Sequence, residues 1–167
     1  MRVENHPDRP DVAVRAASAS DVRAIAEFQT VCWREAYVGL VPKSYLDGVD
    51  ADAREARWVE RVTTGTRHVA VGEVAAALAG VVSWGTCAGL EVPPLELKSL
   101  YVGSAFYGTG VAAALMTYAL GDAPAHLWVF ESNARALAFY AKWGFAFDGH
   151  RKVDTDTGIW EQRLVRP

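Results

Sequence analysis

Leu97-Lys98-Ser99-Leu100-Tyr101-Val102, then Gly103-Ser104-Ala105-Phe106, then Tyr107-Gly108-Thr109-Gly110-Val111-Ala112-Ala113-Ala114-Leu115 is the stretch that decides the fold. An apolar run with strand character passes through a loop of small residues into an alanine-rich helical pattern. That arrangement leaves the first N–H groups of the helix without partners. Gly108 and Gly110 place no side chain between a ligand and those N–H groups, and the helix dipole favours an anion there. The expected anion is a pyrophosphate.

The 167 residues suit one domain. A chain of that size buries roughly two thirds of its unfolded surface without needing disulfides or metals. Charged residues make up 22% and the net charge is −3 with no basic stripe, which argues against nucleic acid as the main partner. Cys32 and Cys87 lie far apart and outside any C-x-x-C pattern, so neither a disulfide framework nor a zinc site is expected, and a cytoplasmic location follows. His6, His68, His126 and His150 show no ligand spacing, so no metal is expected. His126 reads as a structural residue at a strand edge. The N-terminus lacks the apolar segment of a signal peptide, and no apolar run reaches the roughly 18 residues of a membrane span.

Residues 1–11, with Pro7, Pro10 and flanking charges, read as a disordered tail, and the domain is expected over 12–167. A strand over 12–16 precedes a helix whose stripe holds Val22, Ile25, Ala26, Gln29, Cys32, Trp33 and Ala36 and which should end near Gly39. Two further helical pieces follow, over 43–46 and 52–62. Strands over 68–71 and 78–84 form a hairpin with its turn expected at Gly72 and Glu73. After the opening strand and helix come a strand over 125–130, a helix over 134–143 capped by Asn133, and strands over 145–151 and 159–164 around an acidic turn.

Three phosphate-loop patterns compete for the glycines. Gly103 and Gly108 have Walker spacing, but Thr109 and Gly110 stand where lysine and a hydroxyl are needed. Gly108, Gly110 and Ala113 formally meet the dinucleotide fingerprint, yet they lie too far from the strand end and too late in the chain, which disfavours a nicotinamide-dependent oxidoreductase. The third pattern fits best: residues 107–112 resemble the R/Q-x-x-G-x-G/A loop of the GNAT superfamily of N-acetyltransferases, with Tyr107 in place of the arginine or glutamine. Residues 127–145 resemble that superfamily's second coenzyme segment, a strand followed by N-x-x-A-x-x-F-Y-x-x-x-G-F, matched at Asn133, Ala136, Phe139, Tyr140, Gly144 and Phe145.

The resemblance implies a single-domain α/β (α+β) GNAT fold: a central, mixed, mostly antiparallel sheet, flanked by helices and splayed around a coenzyme A cleft. It implies acetyl-CoA held by Leu100, Tyr101 and Val102 at the pantetheine arm and thioester, and by Tyr107, Gly108, Thr109, Gly110, Val111 and Ala112 at the pyrophosphate. Asn133, Ala136, Phe139 and Tyr140 would complete that site, with Tyr140 as proton donor to the leaving thiolate. Glu96 stands where histone-acetylating members carry a base glutamate; it is equally readable as a solvated strand-end charge. Trp33 and Tyr37 read either as packing or as the acceptor's wall.

The expected activity is transfer of the acetyl group to a primary amine by direct attack in a ternary complex, without a cysteine intermediate. A non-catalytic acyl-CoA-binding sensor of the same fold is the alternative. The acceptor is not written in the sequence, and a homodimer is compatible with it.

Overall fold

The computed structural model describes residues 10–89 and 91–167. Of the tail expected over 1–11, residues 1–9 lie outside the described residues. The elements run β1 (Val12–Ala16), α1 (Val22–Ala36), α2 (Lys43–Asp47), α3 (Ala51–Thr63), β2 (His68–Val74), β3 (Ala77–Thr86), β4 (Leu95–Val102), α4 (Val111–Ala119), β5 (Ala125–Phe130), α5 (Ala134–Lys142), β6 (Ala146–Val153) and β7 (Trp160–Arg166). The seven strands form one sheet in the order β1-β2-β3-β4-β5-β7-β6. All neighbours are antiparallel except β4 and β5.

Alternation along the strands sends side chains to two apolar layers. Val69, Val71 and Val81 meet Val22, Ile25 and Ala26 of α1 and Trp58 of α3 on one face. On the other, Ala70, Val82, Leu97 and Leu127 pack with Leu115 and Met116 of α4 and Tyr140 of α5. Gln29 occupies the buried stripe of α1 because the Trp58 indole N–H donates to its amide oxygen at 2.8 Å. No helix among the described residues is long and apolar enough to cross a membrane.

Two boundaries differ from the sequence expectation. Helix α1 stops at Ala36, because the Tyr37 carbonyl turns to accept from the N–H groups of Leu40 and Val41, and Gly39 with φ +78° sits inside the turn instead of closing the helix. The β2–β3 turn is not at Gly72 and Glu73 but at Ala75 and Ala76, which take φ of 48° and 63°. Positive φ at both central residues matches the twist of a two-residue hairpin, even without glycine. Gly72 stays in the strand, paired with Gly80, and a bulge follows it at Glu73.

Both glycines face Leu115 of α4. A β-carbon at Gly80 would lie 2.7 Å from Leu115 Cδ1 and 3.0 Å from the Tyr101 carbonyl oxygen, and one at Gly72 would lie 3.3 Å from Leu115 Cδ2. The glycine pair is the recess that lets α4 sit close on the sheet. Gly80→Ala is expected to cost about 1–3 kcal/mol by overpacking, read as a lower urea midpoint at unchanged slope.

Candidate active site

Strands β4 and β5 share only two pairs, Glu96 with His126 and Leu97 with Leu127. Opposite β3, Ser83 pairs with Ser99 and Trp84 with Leu97, so Lys98 is an extra residue without a partner on β3. Such a bulge bends its strand and sharpens the local twist. Beyond it β4 and β5 separate, and a cleft of about 560 Å³ opens between them.

The far end of the cleft is the glycine loop. A short 3₁₀ turn at Ser104–Phe106 leads to Gly108 and Gly110, with φ of 77° and 101°. Among the described residues, the N–H groups of Gly108, Gly110, Val111, Ala112 and Ala113 have no protein partner, and Ala114 is the first to bond back, to the Gly110 carbonyl at 2.9 Å. Five free donors around a helix N-terminus are suited to an anion. Tyr107 is exposed, and the Arg135 guanidinium stacks over its ring at 3.7 Å. A cation thus reaches this loop from the first turn of α5. Lys98 and Lys142 add further positive charge to the lining.

Helix α5 crosses the cleft with Asn133 as its cap, accepting from the Ala136 N–H at 3.1 Å. Ala136, Phe139 and Tyr140 face inward. Burial pushes the Tyr140 phenol well above its ordinary value, with Tyr101 adding to the effect, so the hydroxyl stays protonated. Among the described residues that hydroxyl has no hydrogen-bond partner, which leaves it available to a ligand.

The sheet's other face supplies an aromatic wall. Trp33 and Tyr37 have centroids 4.3 Å apart, Phe130 meets Tyr37 edge-on at 5.4 Å, and the Trp33 indole N–H donates to the Tyr101 hydroxyl at 3.2 Å. Arg54, buried and without a carboxylate partner among the described residues, stacks on Trp33 at 5.1 Å. Its desolvation lowers the guanidinium's pKa. Glu161, opposite Phe130 on β7, lines the same cavity, and burial raises its carboxyl above the usual range.

Of the residues singled out in the sequence, Trp33, Tyr37, Leu100, Tyr101, Val102, Tyr107, Gly108, Gly110, Ala112, Asn133, Ala136, Phe139 and Tyr140 all line this one cavity. Thr109 and Val111 are not in its lining: the Thr109 hydroxyl donates to the Phe106 carbonyl at 2.7 Å and the Val111 side chain is buried in the core. Glu96 lies just outside the lining, at the root of the cleft, with Lys98 Nζ on its Oε2 at 2.5 Å. His126 is not at an edge, since β5 lies between β4 and β7, and its ring is wholly buried. Arg135, Lys142, Phe130 and Glu161 were missed, and for Arg135 the signal was its place two residues after the Asn133 cap.

The model of the Acetyltransferase (GNAT) family matches residues 23–145. Uncharacterized N-acetyltransferases of Mycobacterium tuberculosis and Mycobacterium bovis are each 31% identical over 118 residues, covering 67% of this chain and 74% of theirs. Among solved structures, the PaiA N-acetyltransferase of Thermoplasma acidophilum in complex with coenzyme A aligns with a TM-score of 0.67 at 17% identity, over 92% of this chain and 98% of that one. A GCN5-related N-acetyltransferase of Rhodopseudomonas palustris aligns with a TM-score of 0.72 at 15% identity, over 97% and 99%.

Cys32 also borders the cavity, and burial pushes its thiol from the ordinary 9.0 up to about 12. A thiol held in that form is a poor nucleophile. The unfolded chain releases this proton above pH 9 while the folded chain keeps it, so the thiol's contribution to stability is complete below pH 9 and lost as pH rises towards 12. Urea unfolding between pH 8 and about 10.5 should therefore show stability falling with pH, and Cys32→Ala should flatten that slope.

Proposed function

Because the chain belongs to the GNAT family of acetyltransferases, we propose that it moves the acetyl group of acetyl-CoA to a primary amine by direct attack in a ternary complex. The observation that carries this reading is the convergence, in one cleft, of a separated strand pair, five unpartnered loop N–H groups and a protonated Tyr140 hydroxyl. Each of the three fits a different part of the donor.

The free N–H groups of Gly108, Gly110, Val111, Ala112 and Ala113 receive the pyrophosphate, and Arg135 supplies the charge that Tyr107 cannot. With that cation present, the departure at Tyr107 does not weaken the binding reading. The edge of β4 beyond Lys98 takes the pantetheine arm as an added strand. A strand N–H at Tyr101 or Val102 donates to the thioester carbonyl and stabilises the negative charge that develops on its oxygen. One such donor is worth roughly 3 kcal/mol where removal has been measured.

Glu96 takes the proton of the incoming ammonium through a water, since its carboxylate lies behind Lys98 at the root of the cleft. The neutral nitrogen attacks the carbonyl carbon, the C–N bond forms, and the C–S bond breaks with its electron pair going to sulfur. Tyr140 gives the thiolate its proton, and the nitrogen's second proton, lost as the amide forms, returns to the Tyr140 oxygen through water. Trp33, Tyr37 and Phe130 form the acceptor's wall, and the uncompensated Arg54 behind Trp33 favours acceptors that carry an anionic group beside the amine over polyamines.

The test is thiol release from acetyl-CoA with a panel of amino acids, peptide N-termini, aromatic amines and polyamines. Tyr140→Phe and Glu96→Gln are each expected to lower kcat by roughly 10²–10⁴-fold, the range for a positioned acid or base. Glu96→Gln should also remove the lower-pH limb of the rate profile. Failure to bind acetyl-CoA overturns the whole reading; binding without turnover on any amine favours the sensor. An unchanged pH profile in Glu96→Gln removes the base role alone.

A further inference from the structure

We propose that Cys87, Glu96 and His126 form a binding site for one divalent cation of the zinc type. The three residues lie in a row across adjacent strands. Glu96 is paired with Gly85 on β3 and with His126 on β5, so the Glu96 and His126 side chains share a face. Cys87 lies just past the end of β3, two residues beyond Gly85, where its N–H donates to the Pro94 carbonyl at 2.7 Å. The thiol sulfur, a carboxylate oxygen and an imidazole nitrogen all fall within 4.8 Å of one another.

His126 supplies the independent sign that something belongs there. Its Nδ1 lies 2.6 Å from the Pro93 carbonyl oxygen, which can only accept, so Nδ1 carries a proton and Nε2 is the ring nitrogen left for a metal. That Nε2 is buried and is, among the described residues, a side-chain atom without any hydrogen-bond partner. It faces Glu96 Oε2 at 3.7 Å, too long for a hydrogen bond. A cation between them gives the buried, unpartnered nitrogen and the carboxylate a shared partner.

The chemistry of the set fits zinc. Zn²⁺ takes Cys sulfur at about 2.3 Å and His nitrogen or carboxylate oxygen at about 2.0–2.2 Å, which sets tetrahedral neighbours roughly 3.3–3.6 Å apart. The Nε2–Oε2 separation of 3.7 Å is already close to that, and the donor set as a whole, within 4.8 Å, contracts by up to about 1.5 Å on binding. The carbonyl on Nδ1 is the outer contact that a metal-binding histidine uses to hold its tautomer. Three protein donors leave a fourth position for water.

Lys98 opposes occupancy, since its ammonium already sits on Glu96 Oε2. The cation and Lys98 compete for one carboxylate, which makes Lys98→Met a variant that should bind more tightly. If Glu96 is also the base proposed above, filling the site slows acetyl transfer; the binding proposal does not depend on that role.

The experiment titrates the full chain, stripped with chelator, with Co²⁺ and with Zn²⁺. Cobalt binding is read by the thiolate-to-metal absorption band and zinc binding by calorimetry. One cation per chain is expected, with a band that disappears in Cys87→Ser and persists in Cys32→Ala. His126→Gln should weaken binding at least tenfold, and Lys98→Met should strengthen it. Because Cys87 is only partly buried, Cys87→Ser tests the site even if the buried His126→Gln fails to fold. Binding no tighter than in the Cys87→Ser/His126→Gln double variant, or a band that survives Cys87→Ser, overturns the proposal.

Discussion

Two strands that pair for two residues and then part create the demand that the rest of the molecule is arranged to meet. Backbone N–H and C=O groups inside a protein must find partners, and the bulge at Lys98 removes those that β5 would have provided. A ligand with its own amide groups satisfies that edge better than water can. The helix N-terminus at Gly110 lies where the charged end of such a ligand would fall, because the chain goes directly from β4 through the loop into α4.

That geometry depends on how closely α4 rests on the sheet. Leu115 enters the recess over Gly72 and Gly80, and Val111 and Met116 are wholly buried beside it. The same packing brings Tyr140 of α5 and Leu97 of β4 into one cluster, so the wall and the floor of the cleft are parts of the core. A site built on rigid elements keeps its donors aimed before the ligand arrives.

Most of the cleft lining was legible. Gly108, Gly110, Asn133, Ala136, Phe139 and Tyr140 carry a spacing that survives in one dimension, because each acts within its own turn or helix. The hairpin turn was not legible: Gly72 is a strong turn signal, yet it serves as space for Leu115, while two alanines took the strained turn that register imposed. The stacking of Arg135 on Tyr107 joins residues 28 apart, so the missing arginine looked like a loss when the charge had another source.

Chain order alone carried the element order, the glycine loop at a helix start and the capped helix, since capping, periodicity and glycine backbone freedom are local effects. Tertiary structure decided where β4 leaves β5, which cation reaches the loop, that Glu96 is held by Lys98, and that His126 lies in mid-sheet facing Glu96 and Cys87. These depend on strand order and register. Cys87, Glu96 and His126 show no ligand spacing along the chain, and only the placement of β3, β4 and β5 side by side brings their donor atoms together.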